Sequence, residues 1–254
     1  MFDSYIGIDY SGAQAPVSRL RALQIYEASP FNEPIRVPVP NNGGKNWSRK
    51  ELANWCVERL RQDDRIIIGI DHGFSFPFSY MERHGIKSWD AFLKHFCELW
   101  PTDRDHMYVE FVRANNPPSG EATELRLCER WTANAKSTFH FDVQGSVAKS
   151  THAGLPWLYQ LRKMPGMQRR LHFWPFDGFD VDDNKSVITE IYPSMFRRRY
   201  PREQRTVDEH DAYSVAHWLR QMDGRRVLDK YLNPPLTLPE RRLVELEGWI
   251  LGIL

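Results

Sequence analysis

Runs of apolar residues with two different periods divide the chain. Tyr5-Ile6-Gly7-Ile8-Asp9 is a continuous apolar run closed by a carboxylate, the pattern of a buried strand. Tyr10 to Pro16 is small and polar and reads as a turn. Leu20–Ala28 and Ile35–Val39 read as two further strands, giving a meander of short antiparallel strands. Asn41–Asn46 reads as a loop. Ser48 with Glu51 three residues on forms a capping box, and Leu52, Trp55, Cys56 and Leu60 follow at helical spacing. Arg65–Ile70 is again a strand. Strand, helix, strand requires a crossover, so this fourth strand is expected to run parallel to one of the first three.

The pattern changes between about residues 75 and 166, where polar loops separate helical stretches at Ser88–Leu99, Ala122–Trp131 and Ser146–Arg162. This region reads as a helical insertion. Strands return at Leu171–Trp174 and Val187–Ile191. Pro193 is expected to open a short helix through Tyr200, proline being favoured at a first helical position. Another helix is expected over Asp208–Met222, and Pro234-Pro235 breaks the chain before a last amphipathic helix, Glu240–Leu251. There is no internal repeat or low-complexity stretch. The expected organisation is one α/β domain over residues 1–254 carrying that insertion.

Composition narrows the class. Of 254 residues, 41% are hydrophobic and 26% charged, as in ordinary globular proteins, which excludes wholesale disorder. Lys plus Arg number 34 and Asp plus Glu 33, so the chain is not a globally basic nucleic-acid binder, although a local basic patch is allowed. The three cysteines, Cys56, Cys97 and Cys128, lie far apart without a CxxC pair, against a zinc cluster or disulfide framework and in favour of a reducing, cytoplasmic compartment. No apolar run approaches the roughly 20 residues of a membrane helix, and the start MFDSYIGIDY lacks the basic region of a signal peptide. Nine tryptophans make aromatics unusually frequent; Trp157, Trp174 and Phe176 read as core before they read as base-stacking platforms.

The chemistry lies where apolar strands end on acids: Asp9 after Ile6-Gly7-Ile8, Asp71 after Ile68-Gly69-Ile70, and Glu190 after Val187-Ile188-Thr189. Ligands gather at the carboxyl ends of strands in α/β sheets. Burying one carboxylate there is costly, and burying several is worse because they repel. A hard divalent cation, magnesium or manganese, relieves both costs. Asp208-Glu209-His210-Asp211-Ala212 opens a helix, with Asp208 and Asp211 on one face. Acids favour helix starts for dipole reasons alone, Asp208 as a cap and Asp211 in the first turn. The same device at four places in the chain is what points to a site.

These motifs, Ile6-Gly7-Ile8-Asp9, Gly69-Ile70-Asp71, Glu190-Ile191-Tyr192-Pro193 and Asp208 through Ala216, resemble in order and spacing the predicted nucleases of the RNase H-like superfamily grouped as domain-of-unknown-function family 429. The last run is also similar to the C-terminal motif of RuvC-type junction resolvases. The resemblance runs from residue 5 to about residue 222. It implies a five-stranded mixed sheet, three antiparallel strands first, with helices on both faces and a metal site at the sheet's centre. It further implies Asp9 as the acid bridging two metal ions, Asp71 and Glu190 as companions, and one of Asp208 or Asp211 closing the set for phosphodiester hydrolysis.

His72 follows Asp71 directly and reads as a solvent-facing neighbour, a substrate contact or a proton shuttle. Arg197-Arg198-Arg199, Arg202 and Arg205 form a basic run suited to a phosphate backbone or merely to solvation, and Lys136 and Lys149 within Asn134–Thr151 are further candidates for phosphate. Nucleic acid of unspecified type is the expected partner, with no membrane involved. Two alternatives remain: an actin-like or sugar-kinase-like ATPase, whose first phosphate loop also follows a strand ending in Asp, and a non-catalytic nucleic-acid-binding protein of the same fold. Gly43-Gly44-Lys45 lacks Walker spacing, Gly73-Phe74-Ser75-Phe76-Pro77 lacks the last glycine of a nucleophile elbow, and neither HExxH nor a Rossmann fingerprint occurs.

Overall fold

A computed structural model describes residues 1–40, 44–132 and 135–254. The loop read at Asn41–Asn46, the Gly43-Gly44-Lys45 run and the segment starting at Asn134 fall partly outside the described residues. Seven strands form one mixed sheet: β1 (Ser4–Asp9), β2 (Gln24–Ala28), β3 (Ile35–Arg36), β4 (Ile66–Asp71), β5 (Leu171–Trp174), β6 (Ser186–Ile191) and β7 (Ile250–Leu251). The order is β3-β2-β1-β4-β6-β5, with β7 also on β6. β1, β2 and β3 pair antiparallel, and β4 joins β1 in parallel, as the crossover through α1 (Arg49–Arg61) requires.

Five strands were expected from the resemblance, and the seventh is a correction with a clear cause. The last helix ends at Glu247, not Leu251, because Gly248 sits at φ 80°, a conformation that stops helices. Trp249 is then buried and Ile250-Leu251 pair with Glu190-Ile191, on the side of β6 away from β4.

Among the described residues nine α-helices cover the sheet. Besides α1 they are α2 (Phe78–Arg83), α3 (Trp89–Leu99), α4 (Val109–Ala114), α5 (Leu127–Trp131), α6 (Ala148–Lys163), α7 (Val207–Gly224), α8 (Leu228–Leu232) and α9 (Leu238–Glu247). The helix expected at Ala122–Trp131 shrinks to α5, and residues 193–199 form two 3-10 turns instead of one helix. The strand expected at Leu20–Ala28 begins at Gln24, and that at Ile35–Val39 stops at Arg36.

Strand periodicity sends alternate residues to opposite faces. Ile6, Ile8, Ile68 and Ile70 pack into a core with α1, α3 and α6, whereas Tyr5, Ile67, Val187 and Ile191 pack with α7. The insertion therefore supplies, through α3 and α6, much of the layer on that face, alongside α1. On the other face α7 lies close against the strands because Gly7 and Gly69 leave room. A methyl at Gly7 would meet the Ala212 carbonyl at 2.1 Å, and one at Gly69 would meet Val215 Cγ1 at 2.8 Å. Among the described residues no helix is long and apolar enough to cross a membrane.

Candidate functional site

Asp9 and Asp71 are register partners at the ends of two adjacent parallel strands. Partners in a parallel pair point to the same face, here the face shared with Gly7 and Gly69, where α7 packs. The side chain two residues past each of these glycines therefore lies beside the start of α7. That helix is capped by Thr206, whose hydroxyl accepts from the Glu209 amide at 3.2 Å while Glu209 accepts from the Thr206 amide at 2.9 Å. This corrects the expectation that Asp208 caps the helix. Asp208 sits half-buried in the first turn, and Asp211 lies one turn further in, buried.

The four aspartates sense one another. The Asp9 carboxyl is held well above the usual carboxylate range, first by loss of hydration and then by the charges of Asp71, Asp211 and Asp208. Asp71 is raised likewise, by loss of hydration, then by Asp211 and Glu190. Loss of hydration pushes Asp211 up to about 6, against the pull of Arg197. Asp208 is also raised by loss of hydration, opposed by Arg21. Among the described residues Asp9, Asp71 and Asp208 accept no side-chain or backbone hydrogen bond and join no ion pair. Asp211 receives Arg197 Nη1 on Oδ2 at 2.7 Å, and its Oδ1 is buried without a partner. Arg197, the first residue of the basic run, is thus the counter-ion of the cluster. Arg198 and Arg199 are exposed beside it, whereas Arg205 lies over the Tyr213 ring at 3.8 Å.

Glu190 stands apart from the aspartates. Its register partner on β4 is Ile70, so its side chain starts on the face opposite to Asp71. There Arg126 grips it with two bonds, Nη1 to Oε2 at 2.7 Å and Nη2 to Oε1 at 2.6 Å, and the Phe74 amide donates to Oε2 at 3.0 Å. Arg126 Nε also donates to Glu129 at 2.9 Å. Glu247 accepts from the Phe78 and Leu127 amides at 2.6 and 2.7 Å. Arg126, Glu129, Glu190 and Glu247 are all buried. Asp71 and Glu190 nevertheless border one cavity of about 20 Å³, with Arg126 and Lys136 in its wall. Lys149, the other lysine considered for phosphate, pairs with Glu110 at 2.7 Å.

His72 does not face solvent. Its ring is buried against Tyr10 and Phe74, with Nδ1 2.9 Å from the Gly73 carbonyl, and burial pushes its pKa down to about 4. It points away from Asp71, into the α6 face. Trp174 is core, Phe176 stacks on Trp89 at 3.9 Å between centroids, and Trp157 is half-buried. Arg126 was not singled out in the sequence. The local signal was its i,i+3 pair with Glu129, but the contact that matters crosses 64 residues.

The donors present are hard carboxylate oxygens, one of them buried and unpartnered, in a cluster short of positive charge; that chemistry suits magnesium or manganese. Among the described residues no three acidic, histidine or cysteine side chains are already gathered around a common point as ligands. Comparisons with protein-family models, with curated proteins and with solved structures found no match.

Proposed function

We propose that the protein is a metal-dependent phosphodiester hydrolase, a nuclease of the RNase H-like superfamily, as the resemblance to family 429 implies. The observation that carries this reading is the register pairing of Asp9 with Asp71, with buried Asp211 laid over them by α7 and one of its oxygens unpartnered. The antiparallel start followed by parallel strands is in keeping with it.

In this reading Asp9, Asp71 and Asp211 hold the cation, Asp208 stands at the rim, and Glu190 braces the end of β6 through Arg126 without being a ligand. Bound there, magnesium or manganese supplies Lewis-acid charge and a water of lowered pKa. Asp211 can ligate through its unpartnered Oδ1 while Oδ2 keeps Arg197, whose remaining guanidinium N–H groups can donate to phosphate oxygens. Arg198 and Arg199 extend that positive edge along a phosphate backbone. His72, neutral and facing the other side, takes no part in proton transfer.

The ATPase alternative meets a steric objection. A methyl at Gly12, in the turn after β1, would meet the Lys149 carbonyl at 2.1 Å, so α6 fills the space a phosphate loop would need. A non-catalytic nucleic-acid-binding protein is favoured by one observation, the neutralisation of Asp211 by Arg197. Labelled DNA and RNA substrates with magnesium and with manganese decide between them. Metal-dependent cleavage that is lost in Asp9→Asn and Asp71→Asn supports the nuclease; binding without cleavage under every condition supports the other.

A further inference from the structure

A second site lies on the opposite face of the sheet. Between α1 and α6 lies a cleft of about 80 Å³, floored by Ile8, Ile70 and Ile188, whose exposed lining residues are Asn54 and Gln160. It is lined mostly by apolar side chains, and Arg49 is its one charged lining residue. We propose that this cleft binds a small organic monoanion, a carboxylate carrying a short hydrocarbon body.

Arg49 is fully buried. Its Nη1 donates to the Ser11 and Ala13 carbonyls at 3.2 and 2.6 Å, and its Nη2 to the Gln14 carbonyl at 2.8 Å. Those partners are neutral. Among the described residues no carboxylate forms an ion pair with Arg49, whereas the other buried arginine, Arg126, has two. A buried charge without an ion-pair partner is costly, and burial lowers the pKa of Arg49 against the pull of Glu110, which pairs instead with Lys149. Among the described residues, three buried polar atoms without a partner belong to residues lining this cleft: Arg49 Nε, the Tyr10 hydroxyl and Trp157 Nε1. All three can donate, and none is matched by an acceptor.

A site rich in donors, holding one positive charge and walled by hydrocarbon, fits an acceptor-rich head on an apolar body. Arg49 is the one charge in the described lining, so the site balances one negative charge and not the two of a phosphate monoester. The volume holds several heavy atoms but not a drug-sized ligand. Binding here is independent of the acidic cluster, since Tyr10 and His72 point to the face opposite Asp9 and Asp71.

The test uses the full chain with hexanoate, hexanol and acetate as probes, read by calorimetry and by the Trp157 indole N–H resonance, assigned through Trp157→Phe. Hexanoate should bind about tenfold tighter than hexanol, the worth of a charge-assisted hydrogen bond, and tighter than acetate, which lacks the body. It should shift the Trp157 resonance. Val57→Trp, in the half-buried lining, should fill the cleft and abolish hexanoate binding; if that variant does not fold, Ala53→Phe fills it from the same helix. Arg49 also holds the Ser11–Gln14 turn, so its head-group role is tested at Tyr10→Phe, which should weaken hexanoate several-fold and leave hexanol unchanged. Equal affinity for hexanoate and hexanol, no binding of hexanoate, binding that survives the folded cleft-filling variant, or no change in Tyr10→Phe would each overturn the proposal.

Discussion

Two groups of buried and half-buried acids sit back to back at the strand ends, and they are treated in opposite ways. On the α6 side Glu129, Glu190 and Glu247 meet Arg126 and backbone amides, so their oxygens are matched by donors. On the α7 side Asp9, Asp71, Asp208 and Asp211 sense one another, with Arg197 as their one direct partner among the described residues. Folding could have satisfied both. A matched group is an architectural tie, whereas a group left short of positive charge costs stability unless something else binds there. The contrast is what supports the proposed reading of the second group as the functional one.

The largest effect expected from breaking this contrast is at Arg126. Arg126→Met leaves buried glutamates without their cation and should cost about 3–5 kcal/mol, the usual loss when one partner of a buried ion pair is removed. Urea denaturation measures it; a loss below about 1 kcal/mol would mean the network is not the tie described. The divalent ion itself should come next. Excess magnesium or manganese should stabilise wild type by up to about 3 kcal/mol at a hundredfold excess over its Kd, and should leave Asp9→Asn nearly unmoved in a thermal melt.

A smaller effect of opposite sign is expected without metal. Asp9→Asn removes one of several repelling charges and should raise stability by on the order of 1 kcal/mol, a few degrees in Tm. The substitution expected to abolish metal binding should therefore strengthen the metal-free fold. Its pH dependence sharpens the point. An aspartate whose pKa is raised on folding penalises the native state when charged, so the penalty is full above the folded value and disappears toward the unfolded one. Since Asp9 and Asp71 are raised and Asp211 reaches about 6, the gain from Asp9→Asn should be larger at about pH 7.5 than at about pH 5. His72, lowered to about 4, acts the other way, costing stability as pH falls below its unfolded value of 6.5, and it does so equally in both proteins. A gain that grows toward acid would contradict the repulsion.

The acidic cluster was legible because each apolar run ends on its acid within five or six residues, and Asp9 and Asp71 come into register once β4 lies parallel to β1. Glu190 looked equivalent for the same reason. What separates it is a register one residue different, pairing it with Ile70, and interstrand register is not written in local sequence. Arg126 was hidden for a related reason, since its partner lies on a distant strand. The burial of His72 depends on α6 arriving over β4; a methyl at Gly154 would stand 2.4 Å from the ring. β7 was missed although Gly248 marked the helix stop, because Trp249-Ile250-Leu251 continues the apolar stripe of α9.

Manganese titration by calorimetry into wild type, Asp9→Asn and Glu190→Gln at about pH 7.5 tests the division between the two groups most directly. Asp9→Asn should lose binding by at least about a hundredfold, as expected when a ligand and its charge are both removed. Glu190→Gln, if cooperatively folded, should bind within a few-fold of wild type. Unchanged binding in Asp9→Asn, or a loss in folded Glu190→Gln as large as that in Asp9→Asn, would contradict the account.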